Sequence, residues 1–245
     1  MTVEVITCMY NEEFLAPFFL NHYRWVDQIT VLYDRTSTDQ TEAILRKGEN
    51  VHLIPFTMPD GKLDDNLKAI KISQTYAKST ADWVIIVDAD EFVFIGKEDL
   101  ECIFKDFGLV QVALYDVYRH VSETDLDPTK PIKDQRSHGL SGDIKPSLAR
   151  SGLPIYWGPG QHNTNGVVKP HPWIFSGAHW SNADLCFCID RRIHGRKERI
   201  SVANVGNCWG AQNFQITEAE IRELCKKHEH DPLIRWGINF GEGGG

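Results

Sequence analysis

Residues 83–92 (WVIIVDADEF) join a continuous apolar run to three carboxylates within four residues. A short β-branched run without polar alternation predicts a strand that is buried on both faces of a parallel sheet. In such sheets, ligands bind at the carboxyl ends of the strands. Magnesium takes carboxylate ligands together with substrate phosphates, so Asp88 and Asp90 predict a site for a divalent cation and a nucleotide diphosphate. A strand followed by a solvated acidic turn would show the same pattern.

The first third of the chain alternates between strand and helix patterns. Apolar runs predict strands at residues 3–8, 29–33, 51–54 and from Trp83, with helices near 15–22, 42–46 and from about 63. The third helix is expected to bury Leu67, Ile70 and Ala77 on one face. This alternation predicts an α/β fold with a right-handed, mainly parallel central sheet flanked by helices.

The pattern changes after residue 95. The polar stretch 123–143 is long for a loop inside a compact domain, which predicts an acceptor-binding segment or a lid. Further elements are predicted as a helix at 98–107, strands at 110–118, 144–149, 154–157 and 173–178, a helix at 218–227 that begins with a Thr217–Glu220 capping box, and a flexible tail at 241–245. We expect one compact domain, with a nucleotide-sugar-binding half at residues 1–95 and an acceptor-binding half at 96–245.

Composition narrows the classes of partner. The chain has 245 residues and a formal net charge of −8, which disfavours a nucleic-acid partner because binding to a polyanion depends on neutralising phosphates. The chain contains no apolar run of the roughly 20 residues that a membrane span needs, and its start does not match a secretory signal, so a cytoplasmic location is expected. The six cysteines lack zinc-ribbon spacing and are expected to be reduced.

Three loops follow three predicted parallel strands and should meet at one crevice. Their sequences are CMYNEE at residues 8–13, D-x-x-STD-x-T at 34–41 and DADEF at 88–92. Over residues 3–95 this series resembles the family 2 glycosyltransferases of GT-A fold. Residues 83–92 also resemble the branch with the pattern W-x4-DxDEF, which later carries His-Tyr and Lys-Ser. This chain has His179-Trp180 and Asn182-Ala183 instead, so Lys145 or the basic residues 191–199 would have to bind the phosphates.

The resemblance implies a role for each motif residue. Asp34 would accept hydrogen bonds from the base of the donor nucleotide. Asp88 would reach the ribose or a metal-bound water, Asp90 would bind Mn²⁺ or Mg²⁺ directly, and His179 would be a third metal or phosphate contact. The remaining nucleotide contacts implied in the same way are Tyr10, Asn11, Glu12 and Asn66.

The family reaction inverts the anomeric carbon and needs a base for the acceptor hydroxyl. Asp184 is the first candidate for this base, and His162 lies in a Gly-rich loop expected near the acceptor. Asp116, Glu123 and Asp143 are rivals for the base. The implied activity is metal-dependent transfer of a sugar, UDP-linked by preference, to a hydroxyl of a glycan or a lipid-linked saccharide. The alternatives are a glycosyltransferase acting on modified DNA bases, and a nucleotidyltransferase or nucleotide-binding module.

Overall fold

A computed structural model of the protein describes residues 1–103, 106–166 and 168–240. The predicted tail at 241–245 lies outside the described residues. The strands are β1 (Val3–Met9), β2 (Gln28–Asp34), β3 (Val51–Phe56), β4 (Trp83–Ile86), β5 (Glu91–Val93), β6 (Leu109–Tyr118), β7 (Gly139–Arg150), β8 (Tyr156–Trp157), β9 (Thr164–Asn165), β10 (Pro170–Asn182) and β11 (Ile238–Phe240). The α-helices are α1 (Ala16–His22), α2 (Thr41–Leu45), α3 (Asp65–Tyr76), α4 (Lys97–Glu101), α5 (Leu185–Ile189), α6 (Val202–Gly206) and α7 (Glu218–Lys227).

The predicted α/β class with a large central sheet is confirmed. Strands β3, β2, β1 and β4 lie side by side and parallel, with Val5 of β1 paired to Ile29 of β2 and to Ile85 of β4. Beyond β4 the sheet continues through antiparallel β7 and β6 to β10, which runs parallel to β6. Strands β5 and β11 pair antiparallel with β10. One sheet thus contains strands from both predicted halves of the chain.

The core lies on both faces of this sheet. Every residue of β4 is buried, as the apolar run beginning at Trp83 predicts. On one face, Phe19 of α1 and Tyr23, which follows this helix, contact Phe92, and Trp180 of β10 packs edge-on against the Phe92 ring. On the other face, Tyr76 of α3 packs against Trp157 and neighbouring aliphatic residues. Burial on both faces explains why polar residues gather at the strand ends.

Helix α3 buries a different face from the predicted one. Its buried residues are Ala69, Ile72, Ser73 and Tyr76, whereas Ile70 is exposed. Both sets of residues repeat with helical spacing, so periodicity alone could not choose between them. The hydroxyl of Tyr76 donates to the backbone oxygen of Arg150 at the end of β7, which turns the Tyr76 face towards the sheet.

The stretch predicted as a loop at 123–143 is anchored to the domain. Strand β7 already begins at Gly139, and the side chain of Arg136 is fully buried. The Arg136 guanidinium donates to the backbone oxygens of Thr124 and Ala183 at 2.9 and 2.7 Å. These contacts tie the segment to Ala183, two residues before α5 begins, which argues against a lid at this position.

Within the described parts of the chain, no helix has the length and apolarity that a membrane crossing requires.

Candidate active site

The ends of β1 and β2 form a pocket with an aromatic wall and a buried carboxylate. The side chain of Asp34 accepts hydrogen bonds from the backbone nitrogen and hydroxyl of Thr36 at 3.0 and 2.8 Å. Its second oxygen accepts from Arg199 at 2.7 Å. The same Arg199 guanidinium lies over the Tyr10 ring, 3.2 Å from the ring centroid. The Arg199 guanidinium, a flat group with hydrogen-bond donors, therefore occupies the pocket between Tyr10 and Asp34, which we call the Tyr10–Asp34 pocket.

Asn11 joins the loops after β1 and β2. Its backbone adopts a left-handed conformation (φ 49°), which Asn tolerates better than most residues. Its side-chain oxygen accepts from the backbone nitrogen of Thr38 at 2.8 Å, and the backbone nitrogen of Glu12 donates to the Thr41 hydroxyl at 2.7 Å. These bonds fix the pocket wall, so the Asn11 amide braces the two loops.

The acidic turn after β4 is held by two lysines. Asp88 pairs with Lys68 of α3 at 2.5 Å, and Glu91 pairs with Lys145 of β7 at 2.6 Å. Lys145 also donates to the backbone oxygen of Gly160 at 2.9 Å. Burial raises the pKa of Asp88, but the two lysines outweigh this effect and leave it below its ordinary value.

Asp90 and His179 meet because β5 and β10 are paired in register. Asp90 is fully buried, and its Oδ2 lies 3.2 Å from Nε2 of His179. On the other side of the ring, Nδ1 of His179 lies 2.6 Å from Asp116, its partner in the β6–β10 ladder. Although burial lowers the pKa of His179, Asp90 and Asp116 raise it to about 10. Asp116 therefore orients the ring so that Nε2 faces Asp90.

The Asp90–His179 pair fits a divalent cation that is shared with a substrate. The Oδ1 atom of Asp90 is buried and has no hydrogen-bond partner in the structure. Among the residues described, no group of three or more His, Cys, Asp or Glu side chains could hold a metal. Mg²⁺ needs only one or two carboxylates when substrate phosphates complete its coordination, and imidazole suits Mn²⁺. The Asp88 carboxylate, which is also predicted to contact the metal, pairs with Lys68.

Residues 190–199, which we call the arginine strap, cover this acidic site. They form a π-helical segment (Asp190–Arg196) followed by a short 3₁₀ turn. Arg191 pairs with both Glu12 and Asp90, and Arg196 lies 3.6 Å from Asp90. Burial alone would raise the pKa of Asp90, but Arg191 and His179 hold it well below its ordinary range. The strap thus places arginines beside Glu12 and Asp90, the carboxylates to which the family resemblance gives nucleotide and metal roles.

Two adjoining cavities open on these groups. A cavity of about 170 Å³ lies between the β1 end and the strap, and one of about 370 Å³ extends along β7 and β10. Lys68, Asp88 and Arg196 line both. The smaller cavity is also lined by Tyr10, Asn11, Glu12 and Arg199, and the larger one by Asp143, Lys145, His162, His179 and Trp209.

Two predicted site residues lie elsewhere. Asp184 is the N-cap of α5 and accepts from the backbone nitrogen of Phe187 at 2.9 Å, so its carboxylate is held at a helix start and lines neither cavity. Asn66 is exposed on the outer side of α3, in a groove beside Tyr156, because the helix turns its Lys68 side towards the smaller cavity. The structure therefore does not place either residue at the two cavities.

The residues predicted as candidates for the catalytic base have different surroundings in the structure. Glu123 accepts from the backbone nitrogen of Ser137 and pairs with His138, so it serves a structural role. His162 remains at the larger cavity, with its Nδ1 3.4 Å from Asp143. Burial and the charge of Lys145 lower the pKa of His162 below its ordinary value.

The sequence did not identify Lys68 as the partner of Asp88. It also did not identify Arg199 as the residue that occupies the Tyr10–Asp34 pocket. A basic run at 191–199 was the available signal for Arg199, but its partner Asp34 lies 165 residues away in the chain. Lys68 is one of two Lys residues within α3, and only the helix orientation selects it.

No protein-family model and no curated protein sequence matches this chain. A structure of glucosyl-3-phosphoglycerate synthase from Mycobacterium tuberculosis with Mn²⁺, uridine diphosphate and glucosyl-3-phosphoglycerate matches at a TM-score of 0.34 and 20% identity, over 46% of this chain and 44% of that chain. The match therefore spans less than half of the synthase. A structure of S. aureus TarS 1–349 matches at a TM-score of 0.43 and 14% identity, over 92% of this chain and 69% of that chain. Similarity at this level does not assign an activity.

Proposed function

We propose that the protein is a metal-dependent glycosyltransferase that moves a sugar from a nucleotide sugar, UDP-linked by preference, to a hydroxyl acceptor. The observation that carries the proposal is the meeting of three strand ends. Tyr10 after β1 and Asp88 after β4 line adjoining cavities, and Asp34 at the end of β2 and Asp90 lie behind Arg199 and Arg191, which line the smaller one. An aromatic ring beside a carboxylate suits a base with a donor edge, and the acid pair beyond it suits a diphosphate with a cation.

Asp90 and His179 would hold Mn²⁺ or Mg²⁺. When bound, the metal would act as a Lewis acid that neutralises charge on the departing nucleoside diphosphate. Asp116 would keep the His179 ring oriented, and Asp88, paired with Lys68, would face the ribose. Lys145 and Arg196 are the cations of the larger cavity that we assign to the phosphates.

His162 is the base that we assign to the acceptor hydroxyl, with Asp143 as its orienting partner. A lowered pKa keeps the imidazole neutral near pH 7, and a neutral imidazole accepts a proton. Attack by the deprotonated oxygen, opposite the departing nucleotide, would invert the anomeric carbon. A glycan or lipid-linked saccharide as acceptor, and a cytoplasmic location, stay proposals based on the sequence.

A panel of nucleotide sugars, each incubated with Mn²⁺ and the protein, tests this function by release of the free nucleotide. Asp90→Asn keeps the side-chain shape and removes the charge, so metal-dependent release should fall to background. Asp125→Asn is the matched control, because the Asp125 side chain is 92% exposed and lines neither cavity. The proposal fails if no nucleotide sugar is turned over or bound, or if Asp90→Asn retains wild-type metal-dependent release.

Variants of the assigned base give a second test. His162→Ala should lower transfer to an added acceptor while nucleotide binding is retained, whereas Asp184→Ala should leave transfer by the folded protein unchanged. Loss of transfer in Asp184→Ala with unchanged thermal stability would return Asp184 to the site.

A further inference from the structure

The arginine strap makes the contacts that the proposed donor nucleotide would make. Arg199 covers the Tyr10 ring at 3.2 Å and donates to Asp34 at 2.7 Å, which are a stacking contact and a hydrogen bond to the carboxylate. A base entering the pocket would need the same ring face and the same carboxylate oxygen. Because Arg199 already covers that ring face, the base and the Arg199 guanidinium cannot both occupy the pocket.

The metal side of the site is covered in the same way. Arg191, whose side chain is only 10% exposed, pairs with Asp90 and with Glu12. Arg191 contacts the same Oδ2 atom of Asp90 that faces Nε2 of His179, so a cation held between these two residues would compete with the guanidinium. One short segment therefore covers both the base pocket and the metal position.

The strap is fastened by contacts with the turn before α3. The backbone nitrogen of Leu63 donates to the backbone oxygen of Arg199 at 2.6 Å, and Lys62 donates to that of Glu198 at 2.7 Å. Its π-helical part carries Gly195, whose surroundings leave room for a side chain. These contacts join two surface segments and no strand of the sheet, so they can break in a local opening that leaves the sheet intact.

We propose that the arginine strap is an internal competitor of the donor nucleotide, so that UDP and metal bind only when Arg199 leaves the Tyr10–Asp34 pocket. This inference rests on the proposed function, because it names what controls entry to that site. The closed strap reduces the fraction of protein that can bind UDP, and the apparent dissociation constant rises in proportion. Weakening the strap should therefore strengthen nucleotide binding.

Calorimetric titration with UDP in the presence of Mn²⁺ tests this inference. Arg199→Gln is expected to lower the dissociation constant of UDP by about tenfold, because the base no longer displaces a charged competitor. Arg222→Gln is the matched control: Arg222 pairs with Glu218 on the surface of α7, and its loss should not change UDP affinity.

Arg199→Lys provides a second variant in case the glutamine variant does not fold. Lysine keeps a positive charge opposite Asp34 but loses the planar group that covers Tyr10. It is also expected to bind UDP more tightly than the wild type. Equal or weaker UDP binding by the folded variants, with clear binding by the wild type, overturns this inference alone. Absence of UDP binding in the wild type and in both variants overturns the proposed function together with it.

Discussion

Replacing Asp116 with asparagine is expected to weaken binding of Mn²⁺ without changing the protein ligands of the metal. In the structure Asp116 contacts Nδ1 of His179 at 2.6 Å, while Nε2 of the same ring faces Asp90 at 3.2 Å. The carboxylate can accept only, so it fixes a proton on Nδ1 and leaves Nε2 for the metal. An asparagine could present its NH₂ group instead, which would favour the opposite tautomer.

The structure sets the size of the expected effect. Loss of a partner behind a metal-bound histidine costs about 10- to 100-fold in metal affinity. The Asp116 side chain is 40% exposed, so water can replace part of its interaction, and we expect the lower end of that range. A tenfold loss corresponds to about 1.4 kcal/mol of binding free energy.

Electron paramagnetic resonance of free Mn²⁺, titrated with protein in the presence of UDP, measures this affinity without turnover. The matched control is again Asp125→Asn, which removes an exposed carboxylate of the same type. An Asp116→Asn protein with wild-type thermal stability and wild-type Mn²⁺ affinity would refute the assigned role of Asp116. Unchanged Mn²⁺ affinity in His179→Ala would remove the histidine itself from the metal site.

Three further predictions concern stability. Burial lowers the pKa of His22 to about 4, so the neutral ring stabilises the fold above pH 6.5 and this contribution is lost as pH falls. In urea unfolding between pH 6.5 and 5, wild type should lose about 2 kcal/mol more than His22→Phe, and parallel losses would contradict this. Thr217→Ala should cost about 1 kcal/mol by removing the α7 capping box, whereas Thr217→Ser should not. Gly139→Ala would place a Cβ 2.2 Å from the Asp116 backbone oxygen and should destabilise the protein by about 1–3 kcal/mol. Gly206→Ala is the control, because a Cβ there would meet open space. Equal stabilities of the two variants would refute the close approach at Gly139.

The strands could be predicted because their signal is local. Predicted strands at 3–8, 29–33 and 51–54 extend to Met9, Asp34 and Phe56 in the structure, and the fourth begins at Trp83 as predicted. Burial on both faces requires uninterrupted apolar residues, and this requirement is visible in the sequence. The orientation of α3 was less predictable, since it depends on the bond between Tyr76 and the distant Arg150.

The place of the site could also be predicted, whereas several of its side chains could not. Parallel strands with successive acidic loops bring those loops to one edge whatever the details of packing. Asp184 shows why the side chains are harder to predict than the location. A carboxylate three residues before a buried Phe187 also fits the pattern of a helix N-cap, and this is the position that Asp184 has in the structure. Lys145 reaches the larger cavity from β7 and His162 from the turn between β8 and β9, both outside the residues 3–95 that carry the family resemblance.

Electrostatics explains why a chain of net charge −8 places arginines over this site. Asp34, Glu12 and Asp90 are all buried, and buried charges are costly unless a cation or hydrogen-bond donors compensate them. The site that we propose for a cation and a nucleotide therefore needs compensating cations from the protein itself. Arg191 and Arg199 meet that need, and the same pairing makes them competitors of the ligand. Sequence reveals the two sets of charges separately, but only the folded sheet shows that they neutralise each other.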